Sequence, residues 1–208
     1  MSGATPIEVL EAEHRVIQKM MAGMSVLAEQ IEGGGPVDVA LLERIVVFLR
    51  TFADRCHHGK EETFLFPALI RRGVPSHGCP IGGLTMEHQK GRVMVGELAD
   101  AIRGSAAGEP PARVDLVKSL RALVAFYPNH IWKEDYLLFP LAGKVLTPQD
   151  QQELMDEFET VERELGLDVH EEFDKVATEL ERKVSGIVSK LGESWQKLKE
   201  AYHGTHVC

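Results

Sequence analysis

One motif written twice constrains this chain more than any other feature. His57-x-x-Lys60-Glu61-x-x-x-Leu65-Phe66-Pro67 recurs as His130-x-x-Lys133-Glu134-x-x-x-Leu138-Phe139-Pro140, and Leu10-x-x-Glu13-His14 recurs as Leu84-x-x-Glu87-His88. The offsets are 73 and 74 residues, so the two halves read as one helical hairpin repeated. Around the motifs apolar residues return every three or four positions, the helical period, and strand-like alternation is hard to find. The expected fold class is all-α, an up-down-up-down four-helix bundle with a pseudo-twofold internal repeat, plus a C-terminal helical extension.

Punctuation divides the 208 residues accordingly. A first helix over 6–32 stops at Gly33-Gly34-Gly35-Pro36, and a second runs from about 37 past 66. The Pro- and Gly-rich stretch 71–83 is a long loop. A third helix spans about 80–102 and a fourth about 112–144. Thr147-Pro148 then opens an extension, as an N-cap followed by proline at the first helical position. The expected domains are a bundle over 1–147 and an acidic two-helix extension over 148–208, packing on the bundle or on a partner. Its helices are expected over 148–165 and 168 to about 202, with Asp168 and Glu171 as a capping box. The second carries Phe173, Ala177, Leu180, Val184, Ile187, Leu191, Trp195, Leu198 and Tyr202 on one seam that must be covered.

Charge narrows the partners. The formal net charge is -9, and residues 148–208 hold 15 acidic against 7 basic residues. An acidic chain is a poor match to nucleic acid. No run approaches a membrane span, and the start lacks a basic segment followed by an apolar one, so a cytoplasmic address is expected. Cys56, Cys79 and Cys208 are odd in number without C-x-x-C spacing, which argues against a zinc ribbon and a disulfide framework. Monomer and homodimer are both compatible with the seam.

The repeated histidines lie on the apolar stripes of their helices. Ile7, Leu10, Ile17 and Met21 flank His14 at helical spacing; Val46, Leu49 and Ala53 precede His57; Ile81 and Leu84 precede His88; Leu123 and Phe126 precede His130. Glu61 and Glu134 follow their histidines by one turn and point inward too. By the same α-helical count His58 follows Thr51 and Asp54 and is expected to face solvent. A lone histidine on such a stripe is usually a packed core residue. Four imidazoles and two carboxylates converging in one apolar core are different, because a buried carboxylate without a partner costs several kcal/mol. Metal ligation removes that cost, and a set of N and O donors without sulfur suits iron or manganese better than structural zinc. A ferritin-like site would need Glu-x-x-His in both halves; Glu11 fits before His14, but Thr85 stands before His88.

His14, His57-x3-Glu61, His88 and His130-x3-Glu134, with Leu-Phe-Pro after each carboxylate, resemble the hemerythrin-like, or HHE cation-binding, family over roughly residues 5–145. The resemblance implies two non-haem Fe ions with a bridging oxo or hydroxo group. It also implies terminal ligation by His14, His57, His88 and His130 and bridging by Glu61 and Glu134. The family's oxygen carriers have a further histidine one turn after the third-helix one, where this chain has Arg92. Four histidines leave about two of about twelve coordination positions open, where five leave about one. The set resembles that of bacterial iron-centre repair proteins. What this implies is an oxidoreductase or repair activity toward a small diatomic or peroxide ligand, O2, H2O2 or NO. The alternative is a sensing or binding module without turnover.

Arg92 is expected beside the open position, paired with a carboxylate, where its charge would stabilise an anionic ligand. A fifth terminal ligand could come from Tyr127, Tyr136, Glu159, Glu162 or His170. Pro128 is expected to kink the fourth helix near His130. Cys56 reads as core packing, Cys79 and His77 as loop residues or a lid, and His203, His206 and Cys208 as a polar end.

Overall fold

The computed structural model describes residues 4–107, 112–166 and 169–183. Helix α1, Pro6–Glu32, opens on a capping box: Glu8 N–H donates to Thr5 Oγ1 (3.2 Å) and Thr5 N–H donates to Glu8 Oε2 (2.7 Å). Both groups are helix-end orphans otherwise. Beyond its end Gly34 takes a φ of 88°, which only glycine adopts without cost. Asp38 caps α2, accepting from Leu41 N–H at 3.0 Å.

Helix α2 is continuous over 39–71 but not uniform. Val39–Phe48 is α-helical, Leu49–His58 and Glu61–Leu65 are π-helical, and Phe66–Arg71 is α-helical again. After the connection 72–80 comes α3, Ile81–Ala106, which runs past the expected end near 102. Helix α4 joins Ala112–Lys133, a π-helical Glu134–Leu138 and Phe139–Val145, and Pro128 lies inside it. Thr147 and Asp150 form the capping box of α5, Pro148–Leu165. Gly166, at a φ of 107°, separates it from α6, Val169–Lys183. The described residues contain no strand.

Helix α1 packs on α4, α4 on α3, α3 on α2 and α2 back on α1, so the short connections make consecutive helices antiparallel neighbours. The core falls into two apolar clusters. One holds Ile17, Phe52, Val95 and Leu123; the other holds Leu10, Leu65, Leu84 and Leu138. Every bundle helix contributes to both, and the repeated histidines and glutamates lie at the level between them.

The described part of the extension covers the bundle's own surface. Leu154 and Phe158 of α5 enter the second cluster, and Arg72 Nε and Nη2 donate to Asp150 Oδ2 (2.8 Å) and Oδ1 (2.9 Å). On α6, Phe173 sits 5.6 and 5.9 Å from the Phe48 and Phe52 ring centres, and Val176, Ala177 and Leu180 join the first cluster. The rest of the seam (Val184, Ile187, Leu191, Trp195, Leu198, Tyr202) lies outside the described residues, as do Asp168 of the capping box and His203, His206 and Cys208. No described helix is long and apolar enough to cross a membrane. Cys56 is a buried thiol whose Sγ faces Glu13 Oε1 at 3.9 Å, and its pKa is pushed up to about 12 by burial and by Glu13.

Gly23 lies where α1 meets α6 most closely, beside the Lys19–Asp174 ion pair (3.0 Å). A Cβ there would overlap Leu180 Cγ and Cδ2. Gly23→Leu is therefore expected to lift α6 from α1 and to lower unfolding free energy by about 1–3 kcal/mol, the usual cost of overpacking. Denaturant unfolding checks this, and an unchanged midpoint would contradict the docking.

Candidate metal centre

The winding of α2 decides which side chains reach the interior. A π-helical run closes its hydrogen bonds from i to i+5, so each turn holds more residues than an α-turn. Counted by i−5 and i−9, His58 aligns with Ala53 and Leu49, both fully buried, rather than with Asp54 and Thr51. His57 and His58 consequently both enter the core, at 1% and 2% exposure. The expectation that His58 faces solvent is corrected on this ground. The α-helical period failed within the longest of the π-helical segments, Leu49–His58.

Two groups of ligand-type atoms result. One atom from each of His14, His57, Glu61 and Glu134 lies within 4.8 Å of the others, and so does one from each of His58, His88 and His130. Glu134 joins the groups: its Oε2 is 3.1 Å from His14 Nε2, and its Oε1 is 3.3 Å from both His88 Nε2 and His130 Nε2. Glu61 Oε2 lies 3.5 Å from His88 Nε2 and 3.9 Å from His57 Nε2. All six expected ligand residues are thus brought together, on four different helices.

Each imidazole is held from behind by a carboxylate. His57 Nδ1 meets Glu13 Oε2 (2.9 Å), and its counterpart His130 Nδ1 meets Glu87 Oε2 (3.2 Å). His14 Nδ1 meets Asp135 Oδ1 (2.6 Å), and its counterpart His88 Nδ1 meets Glu62 Oε1 (2.7 Å). Lysines extend the pattern, with Lys60 Nζ donating to Glu13 Oε1 (2.6 Å) and Lys133 Nζ to Glu87 Oε1. The pseudo-twofold therefore relates the orienting acids as well as the imidazoles. An ionised carboxylate at Nδ1 draws the ring proton there and leaves Nε2 a lone pair directed inward, the arrangement in which histidine ligates metals.

Most of the inward atoms lack partners, His88 Nε2 and Glu134 Oε1 being paired at 3.3 Å. His14, His57, His58 and His130 Nε2, both oxygens of Glu61 and Glu134 Oε2 are buried without a hydrogen bond. The 3.1 Å approach of His14 to Glu134 does not have hydrogen-bond geometry. Burial, then the neighbouring Glu134, pushes the Glu61 carboxyl well above its usual range. Glu134 is held well below, because His130 and His14 outweigh its burial. Burial and the His14 charge push His57 down to about 4. His14 rises to about 9, since Asp135 and Glu134 outweigh its burial. The two carboxyls are pushed in opposite directions because each is buried among groups that do not fully neutralise it. Cations shared between the inward Nε2 and Oε atoms would satisfy all of them at once, so the residues present fit a metal pair.

The other candidates stand elsewhere. Arg92 is 39% exposed and turns away from the inward atoms; its Nε donates to Asp54 Oδ1 (2.8 Å) and its Nη2 to Glu62 Oε1 (2.9 Å). It braces orienting acids. Tyr127 is buried and lines a pocket of about 270 Å³ with His58 and Arg92. Tyr136 is half exposed and stacks on Trp132. Glu159 is exposed. Glu162 accepts from Lys60 at 2.6 Å. The side chain of His170 lies outside the described residues. Sequence reasoning missed His58 and the orienting acids, although Glu13 and Glu87 stood inside the quoted repeat and Glu62 and Asp135 directly follow the paired glutamates.

Glu62 supports His88 and receives Arg92. Glu62→Ala is expected to weaken metal binding by about 10–100-fold, as loss of an orienting acid commonly does. Competition against a chelator of known affinity measures this; wild-type affinity would contradict the orienting role.

Residues 5–142, well over half of the chain, match the family described as Hemerythrin HHE cation binding domain. Uncharacterized protein Rv1995 of Mycobacterium tuberculosis is 25% identical over 158 residues, covering 76% of this chain and 61% of that protein. Uncharacterized protein Mb2018 of Mycobacterium bovis is similar to the same extent. The chain thus spans about three fifths of the length of these relatives. No solved structure matches.

Proposed function

Because this chain belongs to the hemerythrin HHE cation-binding domain family, we propose that its buried His–Glu layer holds two non-haem iron ions and that the pair reacts with O2, peroxide or NO. The reading is an oxidoreductase or an iron-centre repair protein. One observation carries it: imidazole Nε2 and carboxylate oxygens from three helices are buried, unpaired and turned toward one another, with His88 Nε2 of the fourth helix on Glu134 Oε1, while the Nδ1 of His14, His57, His88 and His130 is occupied by an acid. When bound, an iron pair supplies the electrons and the Lewis acidity that chemistry on these small molecules requires.

The chain's own part is support and exclusion. Glu61 and Glu134 lie between the imidazole groups, so both can be shared by two cations. Glu13, Glu62, Glu87 and Asp135 fix ring orientation and draw the ring protons outward. The apolar clusters lie on either side of the layer and shield it from bulk water.

Protein purified anaerobically with ferrous iron, then exposed separately to O2, H2O2 and NO, tests this reading. The expected result is a change in the visible spectrum with at least one of the three and several turnovers per chain. Iron-loaded protein inert to all three would overturn it. A sensing module is the second reading, favoured by one contact: Glu162 of α5 reaches His57 through Lys60 and Glu13. That reading expects a reversible spectrum, no turnover and altered protease sensitivity of α5.

A further inference from the structure

We propose that His58 is a fifth imidazole ligand of the centre, which makes the two metal positions unequal: His14 and His57 serve one, and His58, His88 and His130 serve the other. This rests on the metal-centre reading above. His58 is 2% exposed, its Nε2 is buried without a hydrogen-bond partner, and one of its ring nitrogens lies within 4.8 Å of ligand-type atoms of both His88 and His130. Its ring stacks on His88 at 3.9 Å between centres and stands at 90° to His130, 5.4 Å away. Its Nδ1 faces Asp54 Oδ1 at 3.4 Å, and Asp54 in turn accepts from Arg92 Nε at 2.8 Å. His58 therefore has what His14, His57 and His130 have, an acid at Nδ1 and an Nε2 on the inside without a hydrogen bond.

The internal repeat argues in the same direction. Shifted by 73 residues, Asp54 and His58 become Tyr127 and Ile131. The histidine and its acid are present together in one half and replaced together in the other. A packing role would not require that pairing, because Ile131 fills the equivalent place in the second half at 2% exposure. The ten-residue π-helical run Leu49–His58 that carries His58 has no equivalent before His130 in α4. The imidazole absent at Arg92 is thus supplied from α2 instead, and Arg92 braces its orienting acid. With five imidazoles, about one of about twelve coordination positions stays open rather than about two.

Zinc alone, a diamagnetic probe, added to the full chain carrying 15N-labelled histidine tests the assignment. The Nε2 resonances of His14, His57, His58, His88 and His130 are followed, with the His58 signal identified by its loss in His58→Phe. All five are expected to shift on loading. If the His58 signal keeps its metal-free position while the other four move, the fifth-ligand assignment is overturned and the metal-centre reading survives. If none moves, both fall. The variant adds a second readout, because phenylalanine keeps a flat ring on His88 but cannot ligate. His58→Phe is expected to bind the weaker of the two zinc ions at least about 10-fold less tightly, and wild-type affinity in a folded variant would overturn the proposal.

Discussion

Glu134→Ala is expected to abolish the binuclear centre. Its carboxylate is fully buried and lies 3.1–3.3 Å from imidazole nitrogens of His14, His88 and His130, on three helices. Among the described residues no other side chain lies as close to both groups of ligand-type atoms, so its removal would deprive each proposed metal of a donor. Metal affinity should fall by at least about 100-fold, beyond the loss seen when only an orienting acid is removed. A ligand that binds only the folded state stabilises it by about 2.7 kcal/mol at a hundred times its Kd. The melting temperature of the native chain should therefore rise clearly on metal addition and fall with a chelator. In Glu134→Ala the two conditions should coincide. A variant that keeps the full metal-dependent shift would show that Glu134 is not a ligand.

Lys60→Met should produce the largest loss of stability among the polar substitutions. Lys60 is fully buried, its Nζ lies 2.6 Å from both Glu13 Oε1 and Glu162 Oε1, and Phe158 covers it at 5.4 Å. Burial works against its charge, but Glu13 outweighs this and holds its pKa above the usual lysine value. Removing the ammonium leaves Glu13 at 2% exposure without its cationic partner, next to His57 and the Cys56 thiol. Breaking a buried pair from one side costs about 3–5 kcal/mol. The double variant Lys60→Met/Glu13→Gln should recover part of this, because no buried charge is then abandoned. The counterpart Lys133 is 16% exposed, so Lys133→Met should cost no more than about 1 kcal/mol. Chemical denaturation of the metal-free proteins separates the cases. Equal losses at Lys60 and Lys133 would contradict the argument from burial.

The elements most legible in the sequence were those set by local chemistry. Thr5-Pro6 and Thr147-Pro148 marked helix starts because their hydroxyls cap the first turn, and the triple glycine marked an end. The duplicated His and His-x3-Glu pairs exposed the ligand-type layer because α-helical spacing does hold at His14, His88 and His130. His58 was lost because a π-helical run leaves no compositional mark; only the wider turn reveals that Ala53 and Leu49 stand behind it. Arg92 was placed inward by the same α-helical count. It lies at the rim, because Asp54 and Glu62 can pair with its charge there without burying it. The acids behind the imidazoles could have been read from the repeat itself, since Glu13, Glu62, Glu87 and Asp135 adjoin repeated positions in both halves.

The claim beneath all of this is that the layer between the two apolar clusters holds a pair of irons. Iron content and Mössbauer spectra of the full chain, loaded anaerobically with ferrous iron and freed of excess by gel filtration, address it directly. The account predicts about two irons per chain in two unequal environments, one with two imidazoles and one with three. A single iron per chain, or none retained after filtration, would contradict it.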